Sequence, residues 1–303
     1  KKAISAIQDH AGVEVVGVIP RDESMHLSMR HLGLVPMLEG ERRQAGFAER
    51  LAKIRDVVEE GLDIDRILEI AAEAEPLEAP EPDLYLPNSE GDGVRIGVAL
   101  DEAFNFYYRE NVELIELSGA EVVPVSPIHD SALPKVDGLY IGGGYPELYA
   151  KELSENGSMI ESIRRAHEDD IPIFGECGGL MYLCEEIDWG GESRPAVGLI
   201  PAKTRMGGRR IVSYTEGEFL RDCSMGPRGA SFLGHEFHHS ELVLDADAKV
   251  EYAIRLRRGT GIEKGMDGIV EGNLVASYNH FHAASYREFP WHFIKAAREA
   301  RDK

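Results

Sequence analysis

The sequence predicts an α/β fold in which a mostly parallel sheet carries helices on both faces. Three observations support this. Apolar, strand-like runs alternate with amphipathic, helix-like runs after residue 94, glycines follow several of the strand ends, and one apolar run stops at a cysteine followed by glycines. Such alternation is typical of parallel strands joined by crossover helices. Ligands in such sheets bind at the carboxyl ends of the strands, so these ends are where a functional site is expected.

The elements follow from local pattern in chain order. Continuous apolar runs predict buried strands, and runs with helical periodicity that stop at a glycine or begin at a capping residue predict helices. The predicted strands are 95–100, 122–125, 138–141 and 171–176, followed after Gly190 by 211–214, 230–244, 250–257 and 274–278. The predicted helices are 102–118, most of 145–169, and 288–300.

The chain divides by composition into two regions and a linker. Residues 1–75 resemble the tail of an α/β domain, with a strand at 13–19, a helix at 41–60, and a second helix at 64–74 capped by Asp63. Residues 76–93 are rich in Pro and Glu and are predicted to be a linker. Residues 94–303 form the second domain. The lack of an initiator Met suggests that the chain begins inside a longer protein.

Composition restricts the functions to consider. The net charge of −21 disfavours nucleic acid and anionic membrane surfaces as partners. The three cysteines form no CxxC pair, which favours a reducing, cytoplasmic location over a disulfide framework or a zinc ribbon. We also find no secretory signal and no apolar stretch near the ~18 residues that a membrane span requires. The sequence therefore predicts a cytoplasmic protein that binds neither nucleic acid nor a membrane surface.

The most informative segment is residues 171–183, where an apolar strand turns at Cys177 into an amphipathic helix. A side chain at such a turn projects from the sheet edge, and the following amide, that of Gly178, can stabilise an oxyanion. The pattern therefore favours Cys177 as a nucleophile. The alternative is a buried, inert cysteine on a glycine-lined turn.

A cysteine nucleophile needs a base, and His280 is the best placed histidine. It follows the predicted strand 274–278, so it lies at the same sheet edge as Cys177. His282, two residues later, ranks second and is expected near the site or the substrate. The alternative for His280 is a solvated loop histidine.

The glycine triplet Gly142-Gly143-Gly144 follows another predicted strand. Without side chains, Gly143 and Gly144 allow a ligand to approach the backbone, and their amides could bind an oxyanion. A simple tight turn is an equally good interpretation.

The segment 234–239 contains a literal HExxH string, which binds zinc when it lies on a helix. Here the flanking residues alternate like a strand, which would place His235 and His239 about 13 Å apart, too far to bind one metal side by side. No metal site is predicted. Instead His235, Glu236 and His238 are expected on a polar strand that lines the substrate crevice.

Arginines are concentrated in two segments of an otherwise acidic chain. Guanidinium groups pair bidentately with carboxylates, so Arg205 and Arg209 are candidates to bind a ligand with several carboxylates. The alternative is a solvated, ion-paired strand face. The full set is Arg205, Arg209, Arg210, Arg255, Arg257 and Arg258.

Taken together, these segments resemble the cobyrinic acid a,c-diamide synthase family, which includes the hydrogenobyrinic acid and Ni-sirohydrochlorin a,c-diamide synthases. The motifs that carry the resemblance are RHLGLVP (30–36), ALDEAFNFYYREN (99–111), YIGGGYPEL (140–148), FGECGGLMYL (174–183), GHEFHHS (234–240) and ASYNHFH (276–282). They occur in the order found in the family and span nearly the whole chain.

The resemblance implies a flavodoxin-like class I glutamine amidotransferase domain at 94–303. Before it, residues 1–75 would be the C-terminal remnant of a P-loop-type α/β ATPase domain. It also implies a ligase of cobalamin biosynthesis that uses glutamine, ATP and Mg²⁺ to amidate the a and c carboxylates of a tetrapyrrole. Cys177 maps to the nucleophile and His280 to the histidine that activates it, while Gly143 or Gly144 with Gly178 would supply oxyanion amides. A homodimer is a further expectation.

The sequence departs in two places from the pattern expected of class I amidotransferases and of the family it resembles. Ordinary class I amidotransferases carry a Glu two residues after the catalytic His, whereas this chain has His282 there, so a Cys–His dyad is expected. No G-x-x-x-x-G-K-[ST] segment for ATP phosphates occurs in these 303 residues. Two alternatives stay open: a cobyric acid synthase-type amidotransferase, and a non-catalytic ligand-binding domain with an inert Cys177.

Overall fold

The computed structural model describes residues 2–26, 46–78 and 90–303. The chain folds into two separate units, residues 1–81 and 82–303. The segment 30–36, the first residues of the predicted helix 41–60 and most of the predicted linker 76–93 lie outside the described residues. Within the described residues, no helix combines the length and the apolar character that a membrane crossing needs.

The first unit is mainly helical. Its helices are α1 (Lys2–Ala11), α2 (Phe47–Gly61) and α3 (Ile64–Ala72). Asp63 caps α3 as predicted, since its carboxylate accepts a hydrogen bond from the amide of Arg66 at 3.0 Å. The predicted strand at 13–19 is wrong: the described residues form only a single bridge there, between Gly17 and Leu62. Val13 and Val18 are exposed among the described residues.

The second unit is built on a large mixed sheet. Its strands are β1 (Arg95–Ala99), β2 (Phe104–Phe106), β3 (Glu121–Val125), β4 (Gly138–Ile141), β5 (Gly143–Gly144), β6 (Ile173–Glu176), β7 (Cys184–Trp189), β8 (Glu192–Pro195), β9 (Ile200–Phe219), β10 (Ser231–Leu244), β11 (Glu251–Arg258), β12 (Met266–Glu271), β13 (Leu274–Ser277) and β14 (His280–Phe281). Its helices are α4 (Arg109–Leu117), α5 (Ala150–Glu155), α6 (Gly157–Glu168), α7 (Gly178–Leu183) and α8 (Phe289–Arg301).

Along its main path, one half of the sheet is parallel and the other half is antiparallel, while β7 lies off this path as a parallel partner of β9. The parallel half has the order β3-β1-β4-β6-β13. From β13 the sheet continues through β12, β11, β9, β10 and β14 with antiparallel pairing. The predicted mostly parallel sheet therefore describes the first half, and the strand-rich last third extends it as antiparallel strands.

Side chains of the parallel strands alternate between two hydrophobic clusters. Leu139 and Ile141 of β4 belong to one cluster, whereas Tyr140 between them belongs to the other. Because successive residues of a strand point to opposite faces, both faces of the sheet are buried, as predicted. Helices α5, α6 and α7 contribute to the first cluster, and α8 contributes to the second.

The predicted helix 102–118 is wrong over its first seven residues, since α4 begins only at Arg109. The Asp101 carboxylate accepts hydrogen bonds from the amides of Ala103 and Phe104, at 2.9 and 3.2 Å, which forms a turn. The short strand β2 then pairs with β5. This pairing places the segment before α4 against the glycine triplet.

Candidate active site

Cys177 occupies a strained turn between β6 and α7. Its backbone has φ 51° and ψ −95°, a left-handed region that a non-glycine residue adopts only under constraint and at a cost of about 1–3 kcal/mol. Gly179 makes this turn feasible, because a Cβ there would lie 2.0 Å from the carbonyl oxygen of Ile141. The amide of Cys177 donates to the carbonyl of Ser277 at 2.8 Å. The turn thus fixes the thiol at the carboxyl edge of the parallel strands.

The structure brings His280 next to Cys177. Strand β13 lies parallel to β6, with Ser277 opposite Glu176, and the chain reaches His280 three residues later. Both side chains are buried, each residue being 7% exposed, and the imidazole lies close enough to the thiol for the two groups to interact. The arrangement can hold an imidazolium beside a thiolate, which is the reactive form of a cysteine nucleophile.

A carboxylate that sequence reasoning did not single out completes the cluster. Nδ1 of His280 lies 2.7 Å from Oε1 of Glu176, the residue before Cys177. Burial alone would lower the pKa of His280, but the negative charges of Glu176 and Cys177 outweigh it and raise the pKa of His280 to about 10. Since Nδ1 faces Glu176, it is Nε2 that faces the sulfur.

Glycines line the site next to the side chains of Cys177 and His280. A Cβ on Gly143 would lie 2.9 Å from Cε1 of His280, and one on Gly178 would lie 2.9 Å from the amide nitrogen of Gly144. All three predicted oxyanion glycines therefore converge beside Cys177. The amide of Gly179 donates a hydrogen bond to the carbonyl of Gly142 at 3.0 Å. Gly178 is the first residue of α7, where helix geometry provides no intrahelical acceptor for its N–H.

The strand β10 covers the thiol. The HExxH segment lies on this strand rather than on a helix, as predicted. The ring of His235 stacks on that of His280 with centroids 4.7 Å apart, and the carbonyl oxygen of Phe237 lies 3.9 Å from the Cys177 sulfur. Burial and the positive charges of His280 and His282 lower the pKa of His235 to about 4, so it is neutral at physiological pH.

His238 and Glu236 point to the other face of β10. His238 stacks on Tyr278 at a centroid distance of 3.8 Å, and its Nδ1 donates to the carbonyl of Ser240 at 2.9 Å. Burial lowers the pKa of His238 to about 4. The Glu236 carboxylate accepts hydrogen bonds from the amides of Thr260 and Gly261, at 2.7 and 2.6 Å, and so holds the loop after β11.

The remaining predicted site residues lie around these side chains or away from them. His282 packs edge-to-face against Tyr108 with centroids 4.3 Å apart, and its Nε2 lies 3.8 Å from Glu110. Arg205 forms ion pairs with Asp188 and Glu241 on an exposed face, as the ion-paired alternative describes. Arg209 is exposed where β9 bulges opposite His239.

Sequence reasoning missed three residues that support the site. Glu176 could have been found, because a carboxylate at the end of the apolar run IPIFGE must be paired when buried. The Tyr140 hydroxyl donates to Glu176 at 3.1 Å. The Asn111 side chain donates to the carbonyl of Phe281 at 2.8 Å and accepts from the amide of Ala283 at 2.8 Å, which fixes the chain after His280. The contacts of Tyr140 and Asn111 join segments that are far apart in the sequence, so no local sequence pattern indicates them.

The ATP and Mg²⁺ implied by the resemblance would need a nucleotide–metal site. No P-loop string occurs in the sequence, and the described residues contain no group of three or more His, Cys, Asp or Glu able to hold a metal. These residues therefore do not fit a nucleotide–metal site.

Comparisons with known proteins identify the same family as the sequence motifs. A family model described as a CobB/CobQ-like glutamine amidotransferase domain matches residues 95–288. Cobyrinate a,c-diamide synthase of Methanosarcina barkeri is 50% identical over 319 aligned residues, covering 100% of this chain and 64% of the relative. The enzyme of the same name from Methanothermobacter thermautotrophicus is 43% identical, covering 98% of this chain and 64% of the relative. The chain thus spans about two thirds of the length of these relatives.

Among solved structures, PurLQS from Thermotoga maritima has a TM-score of 0.50 at 16% sequence identity, covering 69% of this chain and 98% of that one. At this identity the likeness shows the fold alone.

Proposed function

The chain belongs to the family of CobB/CobQ-like glutamine amidotransferase domains, and on that premise we propose that it hydrolyses glutamine at Cys177. The observation that carries the proposal is the buried contact between Cys177 and His280 at the carboxyl edge of the sheet. A thiol kept beside a charged imidazole, on a strained turn, is what nucleophilic attack on an amide requires. An inert, packed cysteine would need none of these features.

The chemistry follows from the positions of these groups. The Cys177 thiolate attacks the side-chain carboxamide carbon of glutamine, and the amides of Gly178 and of Gly143 or Gly144 stabilise the oxyanion. The His280 imidazolium gives its Nε2 proton to the departing nitrogen, which leaves as ammonia, and a thioester forms on Cys177. His280 then accepts a proton from water as the water attacks the thioester, which releases glutamate and regenerates the thiolate.

For the whole protein, we propose that the ammonia amidates the a and c carboxylates of a cobyrinic acid-type or sirohydrochlorin-type tetrapyrrole. The support is the identity of 40–50% to cobyrinate a,c-diamide synthases over nearly the whole chain. The use of ATP and Mg²⁺ by the whole protein, which the family resemblance implies, stays a prediction. A homodimer, a cytoplasmic location and the lack of nucleic-acid binding stay predictions.

The experiment that tests the proposed function compares Cys177→Ala with Cys223→Ala, the second as a matched control on a half-buried thiol. Cys177→Ala should abolish release of glutamate from glutamine, and Cys223→Ala should retain it. In the full-length protein, free ammonia should still support amidation by the Cys177→Ala variant. Glutamine-dependent turnover by that variant would overturn the assignment of the nucleophile.

The substrate class is tested separately. Amide formation on cobyrinic acid and on Ni-sirohydrochlorin by the full-length protein decides which tetrapyrrole is used. The rival, a cobyric acid synthase-type enzyme, would amidate other carboxylates of a substrate that already carries the a and c amides. In that family the residue after the catalytic histidine is usually Gly, whereas here Phe281 follows His280, which favours the a,c-diamide reaction.

A further inference from the structure

We propose that Glu176 is a positioning residue of the glutaminase site, whose carboxylate holds His280 as an imidazolium with Nε2 directed at Cys177. The inference rests on the proposed function and adds a third member to the Cys–His dyad expected from the sequence. This carboxylate comes from the strand that carries the nucleophile, rather than from the position two residues after the histidine.

The position of the carboxylate is fixed from several sides. Its Oε1 accepts from Nδ1 of His280 at 2.7 Å, while its Oε2 accepts from the hydroxyl of Tyr140 at 3.1 Å and lies 3.4 Å from the amide of Phe281. Glu176 is 1% exposed and Tyr140 is fully buried. Because the carboxylate is anchored on both oxygens, the imidazole bound to it has one defined ring orientation.

The charge of Glu176 requires a counterion, since a buried, unpaired carboxylate is strongly destabilising. His280 supplies that charge when it is protonated. The titratable groups whose charges interact with the His280 imidazole are Glu176, Cys177 and the stacked His235, together with His238 on the other face of β10. Burial lowers the pKa of both neighbouring histidines, so they stay neutral, and the positive charge resides on His280.

His282 does not take this place, although it occupies the position of the usual third residue. Its ring contacts Tyr108 and Glu110, and a histidine brings no negative charge to another imidazole. Glu176 instead acts through His280 on the thiol: it lies next to Cys177 in sequence, and the imidazolium lies between the two negative groups.

The test is the protonation of His280, measured by NMR from its Cε1–H signal as a function of pH in the wild type, in Glu176→Gln and in Glu176→Asp. Glutamine is isosteric and still accepts from Nδ1, but it carries no charge. We expect His280 of the wild type to stay protonated well above its ordinary pKa of 6.5. In Glu176→Gln it should lose its proton at clearly lower pH, with Glu176→Asp between the two.

Kinetics give a second readout. The alkaline limb of the profile of kcat/KM for glutamine against pH, where the imidazolium is lost, should move to lower pH in Glu176→Gln. At neutral pH, kcat should fall roughly tenfold or more, with a much smaller change in KM. A purely structural role would lower the melting temperature without moving the profile.

The matched control is Glu102→Gln, which also neutralises a buried glutamate paired with a histidine, here His129 at 2.9 Å. It should leave the His280 titration unchanged. A wild-type His280 that titrates near 6.5, or an unchanged titration in a folded Glu176→Gln protein, would overturn the proposal. The titration of His280 can be measured whether or not the protein hydrolyses glutamine. Failure of the proposed function would show separately, as wild-type protein without glutaminase activity.

Discussion

The two halves of the large sheet differ in how firmly they hold the site. In the parallel half, every residue of β6 and β13 is buried, and the nucleophile lies on a turn whose geometry requires glycine at neighbouring positions. In the antiparallel half, the β9–β10 ribbon covers the thiol yet leaves Val212, Tyr214 and Leu233 exposed to 62, 74 and 57%. The difference indicates that the parallel half sets the reactive geometry and the ribbon encloses it.

His280 lies where the two halves meet. The chain leaves β13 at Ser277, and His280 then pairs with His235 of β10. Its ring is thus anchored by Glu176 on the parallel side and stacked on His235 from the antiparallel side. Substitutions on the two sides should therefore have unequal effects, which the following predictions rank from the largest to the smallest.

The largest effect is expected for His280→Ala, which removes the proton carrier. Glutaminase kcat should fall by roughly 10² or more, the usual contribution of a general acid–base. His282→Ala is the matched comparison and should change kcat by less than about threefold, because its ring contacts Tyr108 and Glu110 instead of Glu176. The measurement is steady-state glutamate release, and a loss confined to His282→Ala would exchange the two roles.

A smaller but still large effect is expected for Gly143→Ala. The added methyl would lie 2.9 Å from Cε1 of His280, so the imidazole must move, and a displacement of that kind costs roughly 10- to 100-fold in kcat. The control is Gly157→Ala, where a Cβ meets nothing within 4 Å. Equal kcat values for both variants would show that Gly143 does not limit the position of His280.

On the antiparallel side, His235→Ala should lower kcat roughly threefold to tenfold, because it removes a ring stacked on His280 but no charge. His235→Phe keeps an aromatic ring and should retain most of the activity, although it loses the contact with the Tyr108 hydroxyl at 3.2 Å. A drop of 10² or more in His235→Phe would mean that His235 itself takes part in proton transfer.

The smallest effect is expected on the exposed face of the ribbon. Tyr214→Ser should change glutaminase kcat by less than about twofold and the free energy of unfolding by no more than about 0.5 kcal/mol, since the side chain is 74% exposed. Chemical denaturation and glutamate release measure both. A large loss of kcat would contradict the inference that the parallel half sets the reactive geometry and the ribbon only encloses it.

The sequence predicted those parts of the site that depend on local pattern. The turn at Cys177, the strand that carries HEFHH and the cap at Asp63 each involve residues a few positions apart, and each occurs in the structure. The position of His280 at the same sheet edge as Cys177 also followed, because both come directly after parallel strands.

The rest depended on contacts between distant segments. Glu176 meets His280 across 104 positions, and Asn111 meets Phe281 across 170. The helix predicted from residue 102 fails for the opposite reason: a local Asp101 turn and pairing with Gly143–Gly144 override the helical pattern. In the apolar run at 13–19, the described residues form only the bridge between Gly17 and Leu62, so the predicted strand is not found there.

The most direct test of the central claim, a reactive Cys177 that recognises glutamine, is covalent trapping by diazo-oxo-norleucine followed by peptide mass spectrometry. Cys184 and Cys223 are internal controls, because burial raises the pKa of both thiols. We expect one label per chain, on Cys177, and its loss in the presence of excess glutamine. Folded protein that takes up no label, or takes it up on another cysteine, would contradict the account.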